Sequence, residues 1–360
     1  MRFARPLLLL FAAWFPAGAA QAQQPAAGIG IAAPLSGPSE ILGRQVLAGA
    51  GAAAAAEGVP VTTADDACTA EGGAAAAERF AAAKVFAVVG FLCTESIESA
   101  LPILKAAAIP VVTPGVRTDS LTDRRAKTGW PVFRVAPRGD AEREAVGRIL
   151  TERWRDALFA IVDDGTIYGR ELAESFRLAA EQAGLKPVFV DTYRPQFDNQ
   201  VGLVGRLRKA GATHVFAGGD RDDIAILARD AAKLGVPLVI AGGEALRSAP
   251  GEVPLTEGLL MIGLPAGADG ADPAVVGRLA ASGIVAEGYI MPSYAAAQIA
   301  IAAIREAESG GISVATALQA GSFETAIGPI AFDEKGDLST NPYRLYRHDG
   351  MRFVPAGDQE

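Results

Sequence analysis

The 360-residue chain is half hydrophobic and 21% charged, with 41 glycines, two cysteines and two histidines. That length and apolar content describe a globular chain with enough material for two packed cores. A net charge of −8 disfavours nucleic acid and anionic membrane surfaces as partners.

The N-terminus carries Arg2 and Arg5, then an apolar run over 7–15, then Ala20-Gln21-Ala22, which has the small-x-small form of a signal-peptidase site. Residues 1–22 are therefore expected to be a signal peptide cleaved after Ala22, leaving a net charge of −10 on the mature chain. The run is about half of the roughly 20 apolar residues that a spanning helix requires. No Cys lies near the cleavage site to carry a lipid anchor. The mature protein is expected to be soluble and extracytoplasmic.

Beyond the leader, short β-branched runs alternate with longer amphipathic ones. The expected strands are 29–33, 59–63, 85–89, 111–113, 158–162, 187–190, 214–217 and 237–240. The expected helices between them are 42–56, 71–83, 97–107, 142–153, 169–183, 200–210 and 222–234. This alternation predicts an α/β fold of two doubly wound parallel-sheet lobes, each sheet covered on both faces, with a seam over 134–140. The alanine-rich stretch 51–56 reads as compositional bias and not as a repeat.

A Gly/Ala/Asp/Pro-rich stretch at 264–270 precedes helical patterns at 291–306 and 314–318, then strand-like segments at 326–332 and 343–346. The simplest arrangement returns the later helices to the first lobe and the final strands to the second. The N-terminal lobe is then 27–138 plus 265–327, and the C-terminal lobe 139–264 plus 328–360. Three crossings would form a hinge, and the carboxyl ends of both sets of strands would line a cleft between the lobes.

Cys68, in Asp65-Asp66-Ala67-Cys68, and Cys93, in Gly90-Phe91-Leu92-Cys93-Thr94, each follow a predicted strand. In an oxidising compartment an even pair reads as a disulfide, here joining residues 25 apart at the mouth of the cleft. Two buried free thiols are the alternative. Enzyme signatures are sparse. Gly28-Ile29-Gly30-Ile31-Ala32-Ala33 matches a loose dinucleotide fingerprint, but its glycines open a strand instead of forming the turn after one. His214 and His348 have no neighbouring Ser, Cys or acidic motif for a triad, and no His/Cys cluster has metal-ligand spacing. Asp333-Glu334-Lys335-Gly336-Asp337 lacks the spaced carboxylates and terminal Glu of a calcium loop and reads as a surface turn. No catalytic residue, metal site or cofactor is expected.

Ile31-Ala32-Ala33-Pro34-Leu35-Ser36-Gly37-Pro38, Asp65-Asp66-Ala67-Cys68, Gly90-Phe91-Leu92-Cys93, Val112-Thr113-Pro114, Tyr168-Gly169, Gly218-Gly219, Ile327-Gly328-Pro329 and Asp333-Glu334-Lys335-Gly336-Asp337-Leu338 occur in this order. With these motifs the whole mature chain resembles the leucine/isoleucine/valine-binding proteins, type I periplasmic solute-binding proteins that serve ABC importers. The resemblance implies a periplasmic monomer whose two lobes, joined by a three-segment hinge, close on an amino acid. It also implies that an inner-membrane ABC permease recognises the closed form.

The resemblance further implies site residues. Thr94 matches the hydroxyl residue that holds the ligand carboxylate, where free N–H groups and a helix dipole favour an anion; helix capping alone is the other reading. Gly115 matches the position whose carbonyl receives the ligand ammonium, and Glu244 the acid that neutralises it from the second lobe. Tyr168 matches the aromatic that reaches across on closure, and Tyr289 an aromatic on the connecting segment; Leu92 and Leu42 join the ligand-binding set. Three positions depart from the family pattern: Arg117 replaces a threonine, Asp220 a tyrosine and Leu42 an aromatic. Fewer aromatics and two added charges predict a polar or doubly charged amine-carboxylate ligand, which Arg117 could grip bidentately. The alternatives are an Arg117–Asp220 pair across the cleft or exposure of both to solvent. A ligand-sensing subunit of a regulatory system would share the same cleft and is the second functional reading.

Overall fold

A computed structural model describes residues 28–357. The expected signal peptide, residues 1–22, lies outside the described residues. The chain runs β1 (Ile29–Ala33), α1 (Glu40–Ala56), β2 (Val61–Asp65), α2 (Ala70–Ala83), β3 (Ala87–Gly90), α3 (Thr94–Ala106), β4 (Val111–Thr113), α4 (Ser120–Asp123), α5 (Arg125–Thr128) and β5 (Val132–Arg134). It continues through α6 (Ala141–Arg153), β6 (Phe159–Asp163), α7 (Ile167–Gln182), β7 (Phe189–Thr192), α8 (Val201–Ala210), β8 (His214–Gly218), α9 (Arg221–Lys233), β9 (Val239–Gly242), a 3-10 turn at Glu244–Arg247, and β10 (Leu260–Gly263). Last come α10 (Pro273–Ala281), α11 (Ile290–Gly310), α12 (Val314–Ala320), β11 (Ser322–Thr325), β12 (Gly328–Ala331), β13 (Arg344–His348) and β14 (Phe353–Pro355).

The first sheet is parallel throughout, in the order β2-β1-β3-β4-β5. β1, β3, β4 and β5 are buried along their whole length, as apolar runs covered on both faces must be. One face packs on α1, α10, α11 and α12, the other on α2 and α3. The second sheet has the order β14-β13-β10-β9-β8-β6-β7. It is parallel from β7 to β10, and β13 and β14 are added antiparallel. α6 and α7 cover one face, and α8 and α9 the other. Among the described residues no helix is long and apolar enough to cross a membrane.

Several strands run past their apolar segments toward the cleft. The run at 59–63 becomes β2 at Val61–Asp65, and that at 237–240 becomes β9 at Val239–Gly242. Backbone pairing carries the ladder onto Asp65 and Gly242, whose side chains contribute no apolar signal. The short strands β5 and β10 fall where no strand is expected from the sequence. The alanine-rich stretch, read as compositional bias, has a packing role. Ala53 and Ala54 of α1 are at most 1% exposed and share a core with the fully buried Ala296, Ala297, Ala300 and Ala303 of α11. Small side chains let the two helix backbones approach closely.

The chain passes between the two cores three times. Val135 packs in the first core and Ala141 in the second; Ile262 packs in the second and Val275 in the first. The third passage departs from the expected boundary at 328. β11 and β12 pair as an antiparallel hairpin, and Phe323, Ile330 and Phe332 all pack in the first core. The chain rejoins the second core only at Tyr343. Adjacent strand-like segments pair with each other here before they join a distant sheet, which a linear pattern does not reveal.

Within that passage the turn expected at 333–337 forms, with Glu334 and Lys335 exposed at its tip, but its last residue is buried. Asp333 Oδ1 accepts from the N–H groups of Lys335 and Asp337, which forms the turn. Asp337 itself is 2% exposed and pairs with Arg134, which is fully buried at the end of β5. Arg134 Nε donates to Asp337 Oδ1 at 2.8 Å, Nη2 to the same oxygen and to Thr122 Oγ1, and Nη1 to the Thr118 carbonyl at 2.8 Å. Asp337 Oδ2 accepts from Thr122 Oγ1 at 2.8 Å and from Arg138 Nη1 at 3.0 Å.

Cys68 and Cys93 form the expected disulfide, with a Cα–Cα distance of 5.2 Å. Ala67 and Cys68 adopt positive φ, 46° and 54°. The sharp turn is held by Asp66, which accepts from the Cys68 N–H and from Ser96 Oγ. The bridge thus joins the β2–α2 loop to the N-cap of α3.

Two stability changes are expected. Asp337→Ala strands a buried guanidinium and should lower unfolding stability by about 3–5 kcal/mol in urea melts. Replacing both cysteines by serine should cost about 3 kcal/mol through the reopened 25-residue loop, and reductant should reproduce that loss in the wild-type protein but not in the variant.

Candidate ligand-binding cleft

The carboxyl ends of β3 and β4 build the first-lobe wall. Thr94 opens α3, is half-buried, and its Oγ1 lies 2.6 Å from Thr118 Oγ1. Cys93, the N-cap, is held in the disulfide and makes no side-chain cap bond. The first-turn N–H groups of α3 therefore lack a side-chain acceptor at the cap, and the positive end of the helix favours an anion there. Thr113 Oγ1 donates to the Phe91 carbonyl and accepts from the Gly115 N–H, fixing the turn after β4. A Cβ at position 115 would lie 2.3 Å from Leu92 Cδ2 and 3.2 Å from Tyr289 Cε1, so Leu92, Gly115 and Tyr289 meet at one point. A side chain at 115 would require the Leu92 side chain to move. Tyr289 is held from behind, its N–H donating to Gln45 Oε1 at 3.0 Å.

The second-lobe wall comes from the carboxyl ends of β6, β8 and β9. Glu244 starts the 3-10 turn after β9. Its Oε2 accepts from the Tyr343 hydroxyl at 2.8 Å and lies 3.7 Å from Arg117 Nη1. Arg117 Nη1 also donates to the Tyr343 hydroxyl at 3.3 Å. Arg117, which follows β4 of the first sheet, thus meets Glu244, which follows β9 of the second. This replaces the alternative of an Arg117–Asp220 pair: among the described residues the ionic partner of Arg117 is Glu244. Asp220 is exposed at the N-cap of α9 and makes no cap bond, and Leu42 is exposed on the first turn of α1. Neither takes part in the Arg117–Tyr343–Glu244 contacts.

Tyr168, at the start of α7, is engaged within the second lobe. Its hydroxyl donates to Glu142 Oε1 at 2.7 Å and accepts from the Ala245 N–H at 3.3 Å. The same Glu142 oxygen accepts from the Glu244 N–H at 2.7 Å. Glu142 therefore ties α6 to the turn that carries Glu244. Burial pushes its carboxyl above the usual range, with the nearby Glu244 charge adding to the effect against the bonds it accepts. Burial also raises the Tyr168 and Tyr343 hydroxyls, each beside a glutamate, so both remain protonated donors. Glu142 and Tyr343 are absent from the sequence-derived set. Neither has a local signal, because each finds its partner through a distant segment.

A raised carboxyl pKa means that the folded state binds its proton more tightly than the unfolded chain. The stability it contributes is complete below the ordinary glutamate range and is lost as pH rises through the raised value. Glu142→Gln keeps the acceptor and removes the charge. It should flatten the fall in stability above about pH 4.5, as read from melting midpoints measured from pH 4 to 8.

A family model described as periplasmic binding protein matches residues 27–352. The chain is 30% identical over 342 residues to the Leu/Ile/Val-binding protein homolog 3 of Brucella melitensis biotype 1, covering 91% of this chain and 92% of that protein. It is 29% identical over 291 residues to a leucine-, isoleucine-, valine-, threonine- and alanine-binding protein of Pseudomonas aeruginosa, covering 78% and 76%. Its fold is similar to that of an ABC transporter substrate-binding protein from Desulfitobacterium hafniense solved in complex with Leu, with a TM-score of 0.63, 21% identity, and 91% and 99% of the two chains covered. Two parallel-sheet lobes, three passages between them and these matches together identify the chain as a type I periplasmic binding protein of the leucine/isoleucine/valine-binding family, a solute-binding protein and not an enzyme.

Proposed function

We propose that the protein captures a small amino acid, or a related amine-carboxylate with a polar or charged end, between its lobes in the periplasm. It then delivers that solute as a monomer to an ABC permease. The observation that carries this reading is the cross-lobe contact of Arg117, Tyr343 and Glu244. Arg117 is 45% exposed and 3.7 Å from Glu244, and an ion pair of that kind is worth under about 1 kcal/mol. A ligand ammonium displaces it from Glu244 at little cost. Released, Arg117 turns its planar fork to a second carboxylate on the ligand.

The ligand's α-carboxylate sits at Thr94 and the N-terminus of α3, and the Gly115 carbonyl shares its ammonium. Leu92, Tyr289 and Leu42 enclose the remainder from the first lobe, with Tyr168 and Asp220 facing it from the second. A solute held by both walls binds the closed arrangement better than the open one and shifts the population toward it.

Thermal unfolding against apolar, acidic, basic and hydroxylated amino acids and simple carboxylates tests this reading. A ligand at 100 times its Kd adds about 2.7 kcal/mol. The expected ligands are polar or doubly charged. Glu244→Ala should weaken their binding roughly 10- to 100-fold. Arg117→Ala should do the same for a diacidic ligand. Unchanged affinity in both variants refutes the site, and a shift by leucine or valine alone refutes the polar-ligand reading.

A further inference from the structure

Beside the cleft wall, at the carboxyl ends of β6 and β8, three carboxylates converge. Asp164, Asp220 and Asp223 each present an oxygen within 4.8 Å of the others. Asp164 and Asp223 are 2% and 3% exposed, and Asp220 opens the cluster to solvent. No ion pair within 4 Å links any of them to a basic group among the described residues. Asp164 Oδ1 accepts from the N–H and Oγ1 of Thr166, and Asp223 Oδ1 from the Gln196 N–H. Asp164 Oδ2 is buried with no hydrogen-bond partner.

A second, independent observation points to an occupant. The Tyr193 hydroxyl, on a side chain 95% buried, also has no hydrogen-bond partner. A Cβ at Gly219 would lie 2.5 Å from that hydroxyl and 2.8 Å from Asp164 Oδ2, so both unpartnered oxygens face the same small space beside Asp220. Buried polar atoms are paired with few exceptions, and buried carboxylates are neutralised by a proton, a cationic side chain or a metal ion. Hard cations bind oxygens at roughly 2.3–2.6 Å, so two oxygens on one ion lie up to about 5 Å apart. The spacing here is of that size.

We propose that Asp164, Asp220 and Asp223 bind a divalent hard cation of the calcium type, with the Tyr193 hydroxyl contacting its hydration shell. Water reaching the exposed Asp220 side completes the coordination. The ion cross-links β6, β8 and α9, and with them the second-lobe wall.

The test uses chelator-stripped protein with calcium chloride or magnesium chloride as the probe, against sodium chloride at matched ionic strength. The expected result is one calcium per chain by equilibrium dialysis and a rise in unfolding midpoint on the order of 3 °C at 10 mM. Asp220→Asn, at an exposed position that leaves the core intact, should lose the shift. In chelator it should melt no lower than wild type, because a repelling charge is gone. Asp156→Asn, on an exposed loop residue, should keep the shift. No stoichiometric binding, or an equal shift in Asp220→Asn and wild type, overturns the proposal. A midpoint that responds to amine solutes through Asp220 but not to calcium also overturns it, and leaves Asp220 to the solute alone.

Discussion

The buried pair of Arg134 and Asp337 holds together the parts of the molecule that must not move independently. A guanidinium with no solvent exposure is tolerable only if its N–H groups are satisfied and its charge is met, since desolvation alone costs several kcal/mol. Here one face of the fork takes Asp337, from the last passage between lobes, and the other takes the Thr118 carbonyl. Thr118 in turn meets Thr94 through its hydroxyl. A single chain of polar contacts therefore runs from the hinge segment, through the end of β5, to the N-terminus of α3. The anion-favouring end of that helix is positioned by the same residues that anchor the hinge.

Contact strength differs systematically with location. Within a lobe, several polar contacts are buried and multiply bonded, as at Asp66 and Arg134. Across the cleft, the Arg117–Glu244 contact is longer, partly exposed and weak. That gradient suits a molecule whose halves stay rigid while the surface between them exchanges partners. The disulfide extends the rigid part to the cleft rim, where Cys93 precedes Thr94.

The acidic group around Asp164 follows a different rule. Elsewhere in the second lobe, carboxylates near helix ends find arginines, as Asp230 finds Arg229. Asp164, Asp220 and Asp223 pair with none among the described residues, although burial of Asp164 and Asp223 makes the need greater. The departure is local and lies where two strand ends and a helix start converge. Folds of this class place ligand groups at such points.

Much was legible in the sequence because the determining features are local. The alternation of β-branched and amphipathic runs predicts parallel sheets, since a buried parallel strand must be apolar on both faces and its return helix on one. The cysteine pair reads as a disulfide from compartment and number. Thr94, Gly115 and Glu244 stand just beyond strand ends in a way the family resemblance makes visible. Only the tertiary structure decided which groups meet. Tyr343 lies 226 residues from Arg117 and 99 from Glu244, and Glu142 lies 102 from the N–H it holds. It also sent residues 328–332 to the first core and buried Asp337 in a turn that reads as exposed. The reason is physical. Periodicity records which face of an element avoids water, whereas a polar partner depends on where separate strand ends arrive in space.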